Sequence, residues 1–255
     1  MKIILVGSSG AMGQTILNMV SASDRHQVVA GVQEEASTEG AIPFFASFDD
    51  LYDAEISADV IIDFSHVSLT DAMIDFAVKS KLPVMLATTG QNEDQEANIE
   101  AASQSIAILN AHNTSIGVNV MEHIVGEMTK ILYPLGYDIE IIEKHHRHKK
   151  DAPSGTAVML KDSIVENMSE EADINHGRSG LGEPRRHEEI GIHAIRGGDI
   201  VGEHTVLFAN NQEVLELKHS AGSKDIFAKG AITGAEFLVD AAPGLYSMTD
   251  ALSEL

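Results

Sequence analysis

Residues 3–13 read Ile3-Ile4-Leu5-Val6-Gly7-Ser8-Ser9-Gly10-Ala11-Met12-Gly13, four apolar side chains running into glycines at three-residue spacing. Consecutive apolar residues suit a strand buried on both faces. After such a strand, glycine at 7 permits a tight turn, at 10 a close approach of backbone to a pyrophosphate, and at 13 close packing of helix on strand. A plainer reading is a glycine turn that only joins strand to helix. The context favours the first, because a helix over Ala11–Val20 and a second strand, Val28–Val32, come within about 30 residues, as a dinucleotide-binding unit requires.

Outward from this unit the pattern repeats. Apolar runs at Val60–Ile62, Val84–Ala87 and Ile106–Leu109 alternate with helical stretches at about Leu69–Ser80 and Asp94–Ser103. This predicts an α/β fold with a doubly wound parallel sheet. The second strand ends in Val32-Gln33-Glu34-Glu35, about 20 residues past Gly13, where an acidic side chain would hydrogen-bond a ribose 2′-hydroxyl. With no Arg or Lys there, Gln33 and Glu34 predict NADH as the preferred cofactor and NADPH as the alternative. The bland alternative is that Glu34 and Glu35 are a solvated loop.

After residue 116 the grammar changes. Val118, Met121, Val125, Met128 and Leu132 keep helical spacing, Tyr137–Ile141 alternates as a half-buried strand, and a helix is predicted over Ser154–Asn167. The charged, glycine-rich stretch Ser169–Glu189 reads as a long mobile loop. Ile190–Ile195, Thr205–Ala209 and Val214–Leu217 read as an antiparallel meander, and Asp225–Val239 as a helix that could return to the first domain.

Composition limits function. The chain has 255 residues, 17 Lys and Arg against 39 Asp and Glu, a formal charge of −22 and no cysteine. Nucleic acid and anionic membranes are poor partners for that charge, and thiolate, Fe–S and Cys-ligated zinc chemistry are excluded. No apolar run approaches the roughly 18 residues of a membrane span, and Met1–Gly7 is too short for the apolar region of a signal peptide, so secretion by that route is not expected. A cytoplasmic protein is expected.

Against this background, Lys144-His145-His146-Arg147-His148-Lys149-Lys150 is a positive island. A solvated basic loop, a metal site and a nucleic-acid patch compete as readings. Adjacent His145 and His146 on an extended strand point to opposite faces and cannot share one ion without a bend, and the overall charge opposes nucleic acid. The residues just after the island favour a small dicarboxylate. Pro153 and Ser154 open a helix whose amides near Gly155 and Thr156 form an anion site. Imidazole, lysine and carboxylate cradle within a dozen residues suit reduction with proton transfer.

The run Glu140–Ala157 closely resembles the signature of the 4-hydroxy-tetrahydrodipicolinate (dihydrodipicolinate) reductase family of bacterial lysine and diaminopimelate synthesis. Further matches lie at Gly7–Gly13, Ala87-Thr88-Thr89-Gly90, Ser115–Met121 and Arg196–His204. The resemblance implies an NAD(P)H-dependent oxidoreductase with a Rossmann-type dinucleotide-binding domain from residues 1–116 and 224–255. It also implies a central α+β domain with a mixed or antiparallel sheet, residues 117–223, that binds substrate and forms a homotetramer. By the family's motif, His145 is the acid/base residue and Lys149 the proton donor, while His146, Gly155 and Thr156 bind substrate. The cofactor is expected at Gly7, Ser8, Ser9, Gly10, Ala11 and Met12, at Ala87, Thr88 and Thr89, and at Ala111, His112, Asn113 and Thr114. No metal is implied. Many members carry Arg where this chain has Ala11, and Arg near the adenosine ribose where it has Glu34; both departures remove charge that could meet a 2′-phosphate. The rival readings are a nicotinamide-binding sensor without turnover and another two-domain dehydrogenase of an amino-acid precursor. The His145–Thr156 block opposes both.

Overall fold

A computed structural model of the chain describes residues 1–37 and 40–253. It divides into two units, Met1–Ile116 with Lys224–Leu255, and Gly117–Ser223. Residues 254 and 255, at the end of the expected dinucleotide-binding domain, lie outside the described residues, as do 38 and 39.

The first unit opens with β1 (Lys2–Val6), α1 (Ala11–Ser21), β2 (Gln27–Val32), β3 (Phe44–Phe45) and α2 (Phe48–Asp53). It continues with β4 (Val60–Asp63), α3 (Thr70–Ser80), β5 (Val84–Leu86), α4 (Glu93–Ser103) and β6 (Ala107–Asn110). The second unit comprises α5 (Ile116–Leu132), β7 (Asp138–His145), α6 (Gly155–Glu166), β8 (Asp173–Asn175), β9 (Glu189–Arg196), β10 (Gly202–Asn210) and β11 (Glu213–Ala221). The chain then returns to the first unit as α7 (Asp225–Asp240), β12 (Gly244–Tyr246) and α8 (Met248–Ser253).

In the first unit every neighbouring pair of strands is parallel, in the order β12-β6-β5-β4-β1-β2-β3. Successive side chains of a strand face opposite ways. Ile3, Leu5, Ile62 and Met85 therefore pack with Ile16, Ala231 and Met248, while Ile4, Val6, Ile61 and Val84 pack with Leu51, Met73 and Ile99. Each such side chain contributes roughly 1.5–3 kcal/mol when fully buried. This explains why the strands read as continuous apolar runs. β1 lies between β2 and β4, so the connections diverge at its carboxyl end, where ligands bind in open α/β sheets.

The return of the chain depends on two glycines of α7. A Cβ on Gly230 would lie 2.8 Å from the carbonyl carbon of Thr114, and one on Gly234 2.8 Å from Sδ of Met85. Sequence periodicity found α7 but not β3, α2, β12 or α8. Strands of two and three residues are too short to display a period, and their placement depends on pairing with β2 and β6.

The second unit corrects two expectations. Its sheet runs β11-β10-β7-β9-β8, and β9 pairs with β7 in parallel, not with β10. β10 runs antiparallel to both its neighbours, β7 and β11. Alternation locates strands but does not choose partners. Here α6 leads from β7 to the edge strand β8, residues 176–188 return the chain to β9, and residues 197–201 carry it across the end of β7. The stretch expected to be a mobile loop contains β8 and is tied down by arginines: Arg178 bonds both carboxylate oxygens of Glu140 at 2.7 and 3.1 Å, and Arg185 bonds Asp138 at 2.6 Å. Its charge density reflects ion pairing more than solvation.

Candidate active site

At the end of β1 the chain turns at Gly7, whose φ is +81° and whose absent Cβ would lie 2.6 Å from the carbonyl oxygen of Phe64, just after β4. Both conformation and space demand glycine. A Cβ on Gly13 would lie 2.7 Å from Cα of Ser8 and closer still to the Gly7 carbonyl, so α1 is seated directly on the turn. Gly10 differs. It is extended, and the one neighbour a Cβ would meet is the Gly7 oxygen at 3.3 Å. Folding explains Gly7 and Gly13, and leaves Gly10 as an opening in front of the start of α1. That start has no side-chain cap and no acidic residue in its first turn, so its amides suit a phosphate. These residues fit a dinucleotide.

The other expected cofactor residues fall into two groups. Met12, Ala87, Ala111, His112, Asn113 and Thr114 line one pocket of about 260 Å³, together with Phe64, Lys224 and Phe227, which sequence reasoning missed. The Thr114 hydroxyl donates to the Phe227 carbonyl at 2.8 Å, which fixes this wall. Ser8, Ser9, Gly10, Ala11, Gln33, Glu34, Thr88 and Thr89 are not in that lining. Ser8 is buried, and its hydroxyl donates to Oε1 of Gln33 at 3.0 Å, while the Gln33 amide donates to the Glu35 carbonyl at 2.8 Å. Ser8 and Gln33 thus clamp the end of β2 beneath the glycine turn, with Ser9, Gly10, Ala11 and Glu34 exposed. Thr88 is buried and donates to the Ser65 carbonyl at 3.2 Å, whereas Thr89 is exposed. Asp63, also buried, accepts the Ser65 amide at 3.0 Å, and its burial raises the carboxyl above the usual range.

In the second unit, β7 brings Glu143 and His145 to one face by alternation. Glu143 is fully buried, and its carboxylate accepts four hydrogen bonds. Arg196 donates twice at 2.7 Å, the Ser154 amide donates at 3.0 Å and His145 Nδ1 lies at 2.7 Å. Burial works to raise its pKa, but the bonds from Arg196, His145 and Ser154 hold Glu143 below the usual carboxylate range. Ser154 caps α6 by accepting the Ala157 amide, and Gly155 comes next with open space where a Cβ would stand. Lys149 Nζ lies 2.9 Å from Asp151 Oδ2. His146 is half-buried, and its backbone is fixed by the bond from Lys149 N to its carbonyl.

The structure thus gathers His145 and the start of α6 around Glu143. Glu143, Arg196 and His204 had no role assigned from sequence. Glu143 had a signal, since it lies two residues before His145 on a strand. Arg196 had none, because its position opposite His145 depends on the β7–β9 register. Among the described residues, no group of three or more His, Asp or Glu could hold a metal ion, and no helix is long and apolar enough to cross a membrane.

Residues 1–114 match the family model described as dihydrodipicolinate reductase, N-terminus, and residues 117–252 match that of its C-terminus. The chain belongs to the dihydrodipicolinate reductase family. It is an NAD(P)H-dependent oxidoreductase of lysine and diaminopimelate biosynthesis, with an NAD(P)H-binding Rossmann-type first unit. It is 42% identical over 250 residues to the 4-hydroxy-tetrahydrodipicolinate reductase of Caldanaerobacter subterraneus, covering 98% of this chain and 97% of the relative. To the Clostridium novyi reductase it is 40% identical over 251 residues, covering 98% of each. Among solved structures, the dipicolinate-bound dihydrodipicolinate reductase of Paenisporosarcina shares the fold with a TM-score of 0.82 at 20% identity, covering 96% of this chain and 97% of that one.

Proposed function

We propose that this chain reduces 4-hydroxy-tetrahydrodipicolinate to tetrahydrodipicolinate with loss of water, with His145, Lys149, His146, Gly155 and Thr156 as its working residues. One observation carries the assignment of the site: a single buried carboxylate, Glu143, holds both His145 and the Ser154 amide that precedes α6. A proton-transfer group and an anion-binding helix start are thereby fixed to each other. The amides around Gly155 and Thr156 bind one substrate carboxylate, and His146 with neighbouring basic side chains binds the other.

Loss of water requires removal of a proton from ring C3 and protonation of the leaving hydroxyl at C4. A nicotinamide held by this chain would supply the hydride for C4, and C3 takes a proton. His145 and Lys149 serve these proton transfers, Lys149 as the donor. Orientation of the ring by the carboxylate contacts is the main catalytic contribution of the chain. Gly10, Ala11 and Met12 at the start of α1 would hold the pyrophosphate, the end of β2 the adenosine ribose, and the Met12–Thr114 pocket the nicotinamide. The exposed carboxylates of Glu34 and Glu35 favour NADH.

The second unit associates as a homotetramer through the sheet face opposite the Ile139, Ile141, Val206 and Phe208 core. Alternation places Ile142, Leu207, Val214 and Ile195 there, with Val214 55% and Ile195 45% exposed. Static light scattering giving a monomer mass at micromolar concentration would refute the assembly. For the reaction, NADH absorbance should fall when the condensation product of pyruvate and aspartate semialdehyde is supplied. No loss of absorbance with fresh condensation product would refute it.

A further inference from the structure

We propose that Glu143 and Arg196 act together as positioning residues that hold His145 as the neutral Nδ1–H tautomer, leaving Nε2 a bare proton acceptor on the side kept open by Gly202. This rests on the reading of His145 as the acid/base group and specifies the form in which it works.

An ionised carboxylate can only accept hydrogen bonds. Glu143 already accepts two from Arg196 and one from the Ser154 amide, so the 2.7 Å contact with His145 places a proton on Nδ1. A carboxylate alone would also favour the imidazolium. Arg196 offsets that, because its guanidinium is shared in bidentate fashion with the same carboxylate and brings the local charge of the pair to zero. Of the other groups facing the ring, His204 meets it edge-on at 5.1 Å and, uncharged at neutral pH, adds no counter-charge, and Lys149 adds repulsion to a positive ring. Burial first, then Lys149 and Arg196, lower the affinity of His145 for its second proton, against the opposing pull of Glu143. A Cβ on Gly202 would stand 3.1 Å from Nε2, so glycine keeps the working nitrogen unobstructed. At neutral pH His145 then takes a proton, and delivery falls to Lys149.

The tautomer can be read in the unmutated protein by two-bond nitrogen–proton NMR of the imidazoles at pH 7.5, with His145 identified by its loss in His145→Gln. Protonated Nδ1 with bare Nε2 is expected; a proton on Nε2, alone or with one on Nδ1, overturns the proposal. Kinetics provide a second readout. Glu143→Gln should lower kcat by about 10- to 100-fold and move the acidic limb of kcat/KM to lower pH, whereas Arg196→Met should move that limb to higher pH. A purely structural role would lower Tm in both without displacing the limb in opposite directions, and limbs that stay or move together overturn the proposal. Full kcat in His145→Ala would instead overturn the acid/base reading of His145 itself.

Discussion

The hydroxyl oxygen of Ser154 lies 2.9 Å from Nε2 of His204, joining the N-cap of α6 to the start of β10. Both residues are buried. His204 binds its proton at about 4, against an ordinary value of 6.5, because burial and the nearby His145 disfavour the charged ring.

As the pH falls, the unfolded chain binds this proton first, so the contribution to stability is complete above about pH 6.5, is lost toward pH 4, and is flat below. His145 and His219 are lowered too and add to the slope. Urea unfolding of wild type and His204→Gln between pH 7 and 5 isolates the part due to His204, and the variant should be the less pH-dependent. Ser154→Ala should cost about 1–2 kcal/mol through the lost cap and the orphaned imidazole.

Lys149→Ala is expected to reduce kcat far more than it raises KM if its ammonium has the proposed role in the proton-transfer step. Steady-state kinetics with varied substrate at saturating NADH measure the split. A change confined to KM would reassign Lys149 to substrate binding.

Gly13→Ala and Gly10→Ala should separate folding from ligand binding. The first drives a Cβ into the backbone of the turn and is expected to cost roughly 2–4 kcal/mol, as overpacking and strain do. The second should change stability by less than about 1 kcal/mol while weakening NADH binding at least tenfold, since the space it fills faces the start of α1. Urea unfolding and fluorescence titration with NADH, applied to both, give the two readings.

Glu34→Arg is expected to raise kcat/KM for NADPH by about fivefold or more while leaving NADH within a few-fold. A carboxylate near a 2′-phosphate in partly exposed surroundings costs on the order of 1 kcal/mol. Equal kcat/KM for both cofactors in the unmutated protein at low salt, where repulsion is least screened, would place these carboxylates away from the ribose.

Much of this protein is local in its sequence. The glycine spacing after Val6, each of the apolar runs of β1, β2, β4, β5 and β6 and the block from Lys144 to Thr156 fall within short stretches of chain, where periodicity and residue chemistry suffice. The start of a helix near Ser154 could be read because it depends on immediate neighbours, although the structure makes Ser154 the cap and leaves Pro153 just outside the helix. The parallel pairing of β7 with β9, the seating of β12 beside β6 and the hold of Arg178 on Glu140 could not, because they join residues 38 or more positions apart. For the same reason the sequence named His145 but not Arg196, 51 positions further on, nor His204 beyond it. A strand's alternation states which side chains share a face, whereas register against another strand is settled by packing and by satisfaction of buried charge. Only the folded sheet brings Arg196 to Glu143, and with it the electrostatic setting of His145.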